Sequence, residues 1–284
     1  MYSRLVAVAA AVLAFGCASS RSSAPGTALA NASAAVPAPP RDPSALRYAP
    51  TAVRYLIEQS NHTVQEVMGQ SIPADQNTRQ VLSVAVTSAG NDLALALTID
   101  SLEVSGTAGN DAGPLGAARG QTFRVVLAPS GLVSSVTPPD TSNAAFRQIA
   151  AGLREFLPRL PAAPITAGQT WIDTVSRTNS GELTVTVNSV REHRVVGWED
   201  RDGTRSLHIT TTSNYTLRGS GQAQGQSMEL SGGGQTVRDM FVSRTGVFLG
   251  GVDSDSSLVN ANVVSMGMVV PVRQNSRSTI TRLP

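Results

Sequence analysis

Cys17 carries all the thiol chemistry this chain can have, because no second cysteine occurs in its 284 residues. A lone thiol forms neither an internal disulfide nor a thiolate metal cage. The other residues able to do chemistry are as thinly spread. His62, His193 and His208 fall in strand-like runs, none paired with another His or Cys at ligand spacing, and they read as partly exposed strand residues. Glu199, Asp200 and Asp202, and separately Asp253 and Asp255, could offer oxygen ligands to calcium. Neither grouping has the spacing of an EF-hand loop, and Asp-Gly and Asp-Ser pairs are ordinary turn formers. No Gly-x-Ser-x-Gly elbow occurs. The glycine runs Gly219–Gly225 and Gly232–Gly234 feed strands and lack the helix N-terminus of a phosphate cradle, so they read as loops. Trp171 and Trp198 read as core or sheet-edge anchors. Nearly every acid sits beside an Arg or in a turn, so no carboxylate pair stands out for acid–base work. The expectation is no catalytic residue, no metal and no cofactor. An enzyme, a hydrolase with an unrecognised site, is the least favoured class.

The composition sets the elements that must position these residues. Aromatics are 4% and charged residues 15%, so the core is built from small and β-branched side chains, which favours sheet over helix bundle. All 22 basic residues are Arg. They are scattered among 20 acidic residues for a net charge of +2, whereas a nucleic-acid footprint needs a clustered basic face. Nucleic acid is therefore not an expected partner. Nor does the sequence display a cluster of charges for a polar ligand.

Met1–Arg4 supplies a short positive start and Leu5–Phe15 an apolar run, too short to cross a bilayer as a helix; together they read as an export signal. From Ala18 onward the chain is almost entirely Ala, Ser and Pro with scattered Arg. It lacks any period that could bury a face, so residues 18–45 are expected to be a disordered tether. The domain is then 46–284. Alternation at period 2 marks a hairpin over 78–104, turning at Gly90-Asn91-Asp92, and recurs from Thr170 to the end with a turn near Asp202-Gly203. Pro271 marks a bulge or an edge. Between the halves the period shifts to 3.6. Phe146, Ile149, Ala150, Leu153, Phe156 and Leu157 share one stripe, with a cap among Asp140, Thr141 and Ser142 and a stop at Pro158. The expected fold is mainly β: a large curved antiparallel sheet or half-barrel in two sections, about 48–137 and 165–284, joined by one amphipathic helix over 142–157. Gly120-Gln121-Thr122-Phe123-Arg124 before Gly131 echoes Gly234-Gln235-Thr236-Val237-Arg238 before Gly246. Duplication and chance recurrence both account for the echo.

Ala14-Phe15-Gly16-Cys17 resembles the lipobox of bacterial lipoproteins, with Ala14 and Phe15 where that family prefers Leu and a small residue. The resemblance implies residues 1–17 as a lipoprotein signal peptide, Cys17 as the lipid-attachment residue and, with Ala18 next, release toward an outer membrane, facing the periplasm. Ordinary cleavage leaving a soluble periplasmic protein is the alternative. The two-section sheet with a helix on its inner face resembles the half-barrel carriers of bacterial envelopes, the lipoprotein-localisation (Lol) type. With Gly168-Gln169-Thr170-Trp171 opening the second half, residues 48–283 also resemble uncharacterised bacterial lipoproteins of unknown-function families. These resemblances imply a non-enzymatic envelope lipoprotein that holds the membrane through its anchor. Its expected partners are a lipid or other apolar ligand in the curved sheet, or another envelope protein. A structural or assembly-partner lipoprotein with a filled core is the alternative.

Overall fold

Long runs of alternating burial follow from the period-2 pattern, and almost every strand carries one. The computed structural model describes residues 42–107, 113–179, 183–223 and 225–284; Cys17 and positions 18–41 of the tether lie outside them. Eleven strands make one antiparallel sheet: β1 (Thr51–Val67), β2 (Gln70–Ala89), β3 (Asp92–Ser105), β4 (Thr122–Leu127), β5 (Val133–Thr137), β6 (Thr170–Asn179), β7 (Leu183–Arg201), β8 (Thr204–Ala223), β9 (Gln226–Ser243), β10 (Phe248–Val263) and β11 (Met268–Leu283). The order across the sheet is β5-β4-β3-β2-β1-β11-β10-β9-β8-β7-β6. The first and last strands therefore meet in the middle, with Ile57 opposite Ile280. The sheet is not closed into a barrel, because β5 and β6 are its two free edges. The sections expected at 48–137 and 165–284 correspond to its two wings.

The connection between β5 and β6 must travel from one edge to the other, and it does so over the inner face. It contains the one α-helix of the described residues, α1 (Ala144–Leu153), shorter at both ends than the expected 142–157. Asn143 is the cap: its Oδ1 accepts from the amides of Ala145 at 2.9 Å and Phe146 at 3.3 Å. Asp140 instead holds the amide and hydroxyl of Ser142 in the preceding turn. At the other end Gly152 weakens the helix. The amides of Glu155 and Phe156 bond back three residues, to Gly152 and Leu153, and Pro158 disfavours helix at the residue before it. Residues 154–169 continue as an irregular strap of turns and bends.

Two apolar layers result. Inward residues of β1–β4, among them Tyr55, Leu82, Leu95, Leu97 and Phe123, pack with Phe146, Ala150, Phe156 and Leu160 of the connection and with Ile209, Val242 and Phe248 of the second wing. The edge-to-face ring pairs Tyr55–Phe156, Phe156–Phe248 and Phe123–Phe146 spend the scarce aromatics here. Full burial of each such ring is worth about 1.5–3 kcal/mol. At the other end of the strands Leu217, Met228, Leu230, Val259, Val263 and Val272 form a second cluster. The α-helix contributes no residue to it, so the second wing must curl to bury these side chains against one another.

The curl overturns the reading of the glycine runs as loops. Gly219 lies inside β8 and Gly232–Gly234 inside β9; only Gly225 is in a turn. A methyl on Gly232 would sit 2.2 Å from the Leu258 carbonyl oxygen, and one on Gly234 2.4 Å from that of Ser256. Neighbouring strands approach too closely there for any side chain. Pro271 is not at a bulge, since β10 and β11 pair without a shift around it. It stands just past the last β1 partner of β11, Val272, where a missing N–H leaves no partner on that side. In the echo, Gly131 and Gly246 both take positive φ in hairpin turns, whereas Gly120 is in a turn and Gly234 in a strand.

The chain joins the domain earlier than the expected residue 46. Arg205 donates to both carboxylate oxygens of Asp42, at 3.0 and 2.7 Å, and the Ser44 carbonyl accepts from the Ile165 amide. Backbone pairing and an ion pair hold residues that composition alone assigns to the tether.

Candidate functional site

Strand parity decides which polar residues turn inward. On β6 the half-buried positions are Trp171, Asp173, Val175 and Arg177. On β7 they include Arg191, with Ser189, His193 and Val195 buried. Arg238 on β9 shares parity with Met240 and Val242, and on β10 Asp253, Asp255 and Ser257 share the same inner face. Register then lines them up: Asp173 opposite Arg191, Arg191 opposite Ser213, Thr211 opposite Arg238 and Arg238 opposite Asp253. A polar belt thus crosses the concave face between the two apolar layers. It continues onto β11 and β1 through Ser278, Ser276, Gln274, Asn61 and Thr63, all buried.

The strap places one carboxylate in this belt. Glu155, two residues past α1, meets Arg191 Nη2 at 2.6 Å, Arg238 Nη2 at 3.7 Å and Arg177 Nη1. Arg238 Nη1 also donates to the Glu155 carbonyl oxygen at 2.9 Å. The four side chains are only 18–24% exposed. Burial pushes the Glu155 carboxyl up, but the guanidiniums of Arg238, Arg191 and Arg177 outweigh it and hold it at about 2. This is the cluster of charges that the sequence does not display, and it corrects that expectation. The three arginines stand on three strands and the glutamate on a fourth segment, so only the folded register assembles them.

Around it lie further pairs. Arg159 of the strap pairs with Asp173, whose other oxygen is 3.2 Å from His193 Nε2. His193 Nδ1 is 2.9 Å from the Thr211 hydroxyl, and Trp171 stacks on the ring at 4.9 Å. His193 is thus buried, not partly exposed, because its parity points inward beneath Trp171. Burial lowers its pKa against the pull of Asp173, so the imidazole is neutral at pH 7. Acid, imidazole and hydroxyl stand in a row, but the Thr211 hydroxyl is buried and engaged by the ring.

Asp253 and Asp255 are not turn residues, as their Asp-Ser context implies, but inward residues of β10. Asp253 Oδ1 is 2.8 Å from Arg238 Nε, an ionic contact without an aligned hydrogen bond. Asp255 accepts from Tyr215 at 3.0 Å and Thr236 at 2.9 Å. Burial pushes its carboxyl up to about 6, against those two hydrogen bonds. The remaining sequence candidates lie elsewhere. His62 pairs with Asp75 on the exposed side of β1 and β2. His208 pairs with Asp239 and Glu199 and stacks on Phe241. Asp200 and Asp202 pair with Arg205 and Arg201 at the β7–β8 turn. Trp198 packs against the first apolar layer. Among the described residues no three His, Cys, Asp or Glu side chains gather as a metal would require.

The apolar groove beside the strap is filled. Between Tyr48, Val53, Tyr55, Val84, Leu95, Leu157 and Phe248 a cavity of about 10 Å³ remains, room for about one water and far below the roughly 300–1,000 Å³ of a ligand pocket. Tyr48 donates to the Pro158 carbonyl at 2.7 Å and Leu160 bonds Ser130, pinning the strap downstream of Glu155. Among the described residues no backbone hydrogen bond joins residues 144–157 to the sheet.

No protein-family model matches this chain, and no curated protein matches it.

Proposed function

We propose that this chain is a non-enzymatic, lipid-anchored protein of the cell envelope, outer-membrane attached and facing the periplasm, whose curved sheet takes up an acyl chain where α1 and the strap now lie. One observation carries the reading. The apolar rows of β1–β4 are covered, beyond their contacts with the second wing, by a single ten-residue helix and the irregular segment that follows it. Between residues 144 and 157 that cover is held by side-chain packing, by the Glu155 ion pairs and by one Arg238 bond to the Glu155 carbonyl, with no backbone–backbone bond to the sheet among the described residues. A cover without backbone pairing lifts as a unit and exposes a continuous apolar trough, the shape that apolar ligands occupy in open β folds. The resemblance of the sheet-and-helix plan to envelope carriers supports the same reading.

The filled groove favours a second reading, a structural or assembly-partner lipoprotein with no ligand. Native mass spectrometry of the protein purified from its own envelope separates the two. On the first reading acyl-chain masses co-purify, and hydrogen exchange over residues 144–157 changes when they are stripped. Protein free of lipid, with no saturable binding of a fluorescent fatty acid and no change in that exchange, leaves the structural reading standing.

A further inference from the structure

Residues 155–157 have the chemical plan of an anionic amphiphile. A carboxylate, Glu155, is followed by Phe156, buried against Tyr55 and Phe248, and by Leu157, packed on the same layer. The head sits in a socket that the sheet alone builds: Arg177 on β6, Arg191 on β7 and Arg238 on β9. Arg238 has a second acid in Asp253, whereas Arg177 and Arg191 find their carboxylate in Glu155. If the strap lifts, two guanidiniums on the inner face lose their counterion beside an emptied apolar trough. Leaving them uncompensated in a half-buried place is costly, and an incoming anion restores the balance. A planar guanidinium pair suits a carboxylate or a phosphate, each offering several acceptor oxygens.

We propose that Arg177, Arg191 and Arg238 are the head-group site of an acyl ligand carrying a carboxylate or phosphate, and that Glu155 occupies this site as an internal stand-in until the ligand displaces it. The proposal rests on the reading that the trough takes an acyl chain, and adds the charge of the head. Lifting the strap then exchanges one anion for another in the same socket and one set of apolar groups for another in the same trough, so the interactions lost with the strap are made again with the ligand. It also sets specificity: a neutral head of equal chain length fills the trough and leaves the arginines unpaired.

Binding to the purified full chain tests it, with a long-chain fatty acid, the monoalkyl phosphate and the primary alcohol of the same chain length as probes. The acid and the phosphate are expected to bind about tenfold or more tighter than the alcohol, as charge-assisted pairing provides. Glu155→Gln removes the competing carboxylate and is expected to tighten the acid and the alcohol alike by about tenfold, since each must displace the strap. Arg177→Gln with Arg191→Gln is expected to bring the acid-to-alcohol ratio down to about one; saturable alcohol binding shows that this variant is folded. Acid and alcohol binding alike in the parent, or a Glu155→Gln variant that binds the acid no tighter than the parent, overturns the head-group site and leaves the acyl-binding reading intact. Failure of all three probes to bind overturns both.

Discussion

Asp255 is held protonated well above the pH at which a free aspartate ionises, and that has a measurable consequence for stability. Its folded pKa of about 6 stands above the ordinary 3.8 because burial penalises the charge. The folded state therefore binds the proton more tightly than the unfolded chain. The associated stability is fully present below pH 3.8 and is lost as pH rises through 6. The gap, roughly two units at 1.36 kcal/mol each, makes the loss about 3 kcal/mol at pH 8. Asp255→Asn keeps an acceptor for the Tyr215 hydroxyl and cannot ionise. Measured from its acid limit, its stability relative to the parent should rise by about 1 kcal/mol at pH 4.5 and by about 3 kcal/mol at pH 8. The groups facing Asp255 across the belt are Arg238, Asp253, Tyr215 and Thr236. Glu155 acts in the opposite direction: its depressed pKa contributes stability above 4.5 that is lost as pH falls toward 2, outside the window used. Urea unfolding followed by circular dichroism at pH 4.5, 6 and 8 reads the difference. An offset that is constant with pH, or larger on the acid side, refutes the assignment of Asp255 as a buried acid carried neutral.

Gly234→Ala should destabilise by about 1–3 kcal/mol or more, since the new methyl meets the Ser256 carbonyl oxygen at 2.4 Å and the Tyr215 hydroxyl at 2.6 Å; an unchanged urea midpoint would mean the curl is looser than described. Phe156→Ala, which removes a ring packed on Tyr55 and Phe248, should cost about 3–5 kcal/mol, read from the same transition. Cys17→Ala should move the protein from the membrane fraction to the soluble fraction of fractionated cells, and retention in membranes after a carbonate wash would refute lipid attachment there.

The fold was legible because its two signals are periodic. Leu93, Leu95, Leu97 and Ile99 repeat every second residue and are buried at every step, and the stripe from Phe146 to Leu153 repeats at helical spacing. Boundaries were less legible because they depend on single hydrogen bonds: Asn143 won the cap from its neighbours by geometry. The glycine runs misled for a physical reason. A glycine's absent side chain marks a turn or a place where strands approach too closely for one, and only the packed register distinguishes the two.

The charged belt was illegible for a related reason. An arginine in a strand ordinarily faces water, and each of Arg177, Arg191 and Arg238 reads that way when taken with its immediate neighbours. Parity carried the missing signal. Arg191 is two residues from His193 and four from Val195, both buried, and Arg238 is two from Met240 and four from Val242, also buried. Counted from those anchors, both arginines point inward, and register through β8 sets them two residues apart, Arg191 opposite Ser213 and Arg238 opposite Thr211. Asp253 on β10 answers Arg238, which leaves Arg177 and Arg191 on the adjacent strands β6 and β7 in want of an acid. The strap supplies it: Glu155 is the first acid after Asp140, and it follows the last turn of α1. A buried like-charge cluster in a β-sheet thus identifies, from sequence, the segment that must come back to neutralise it.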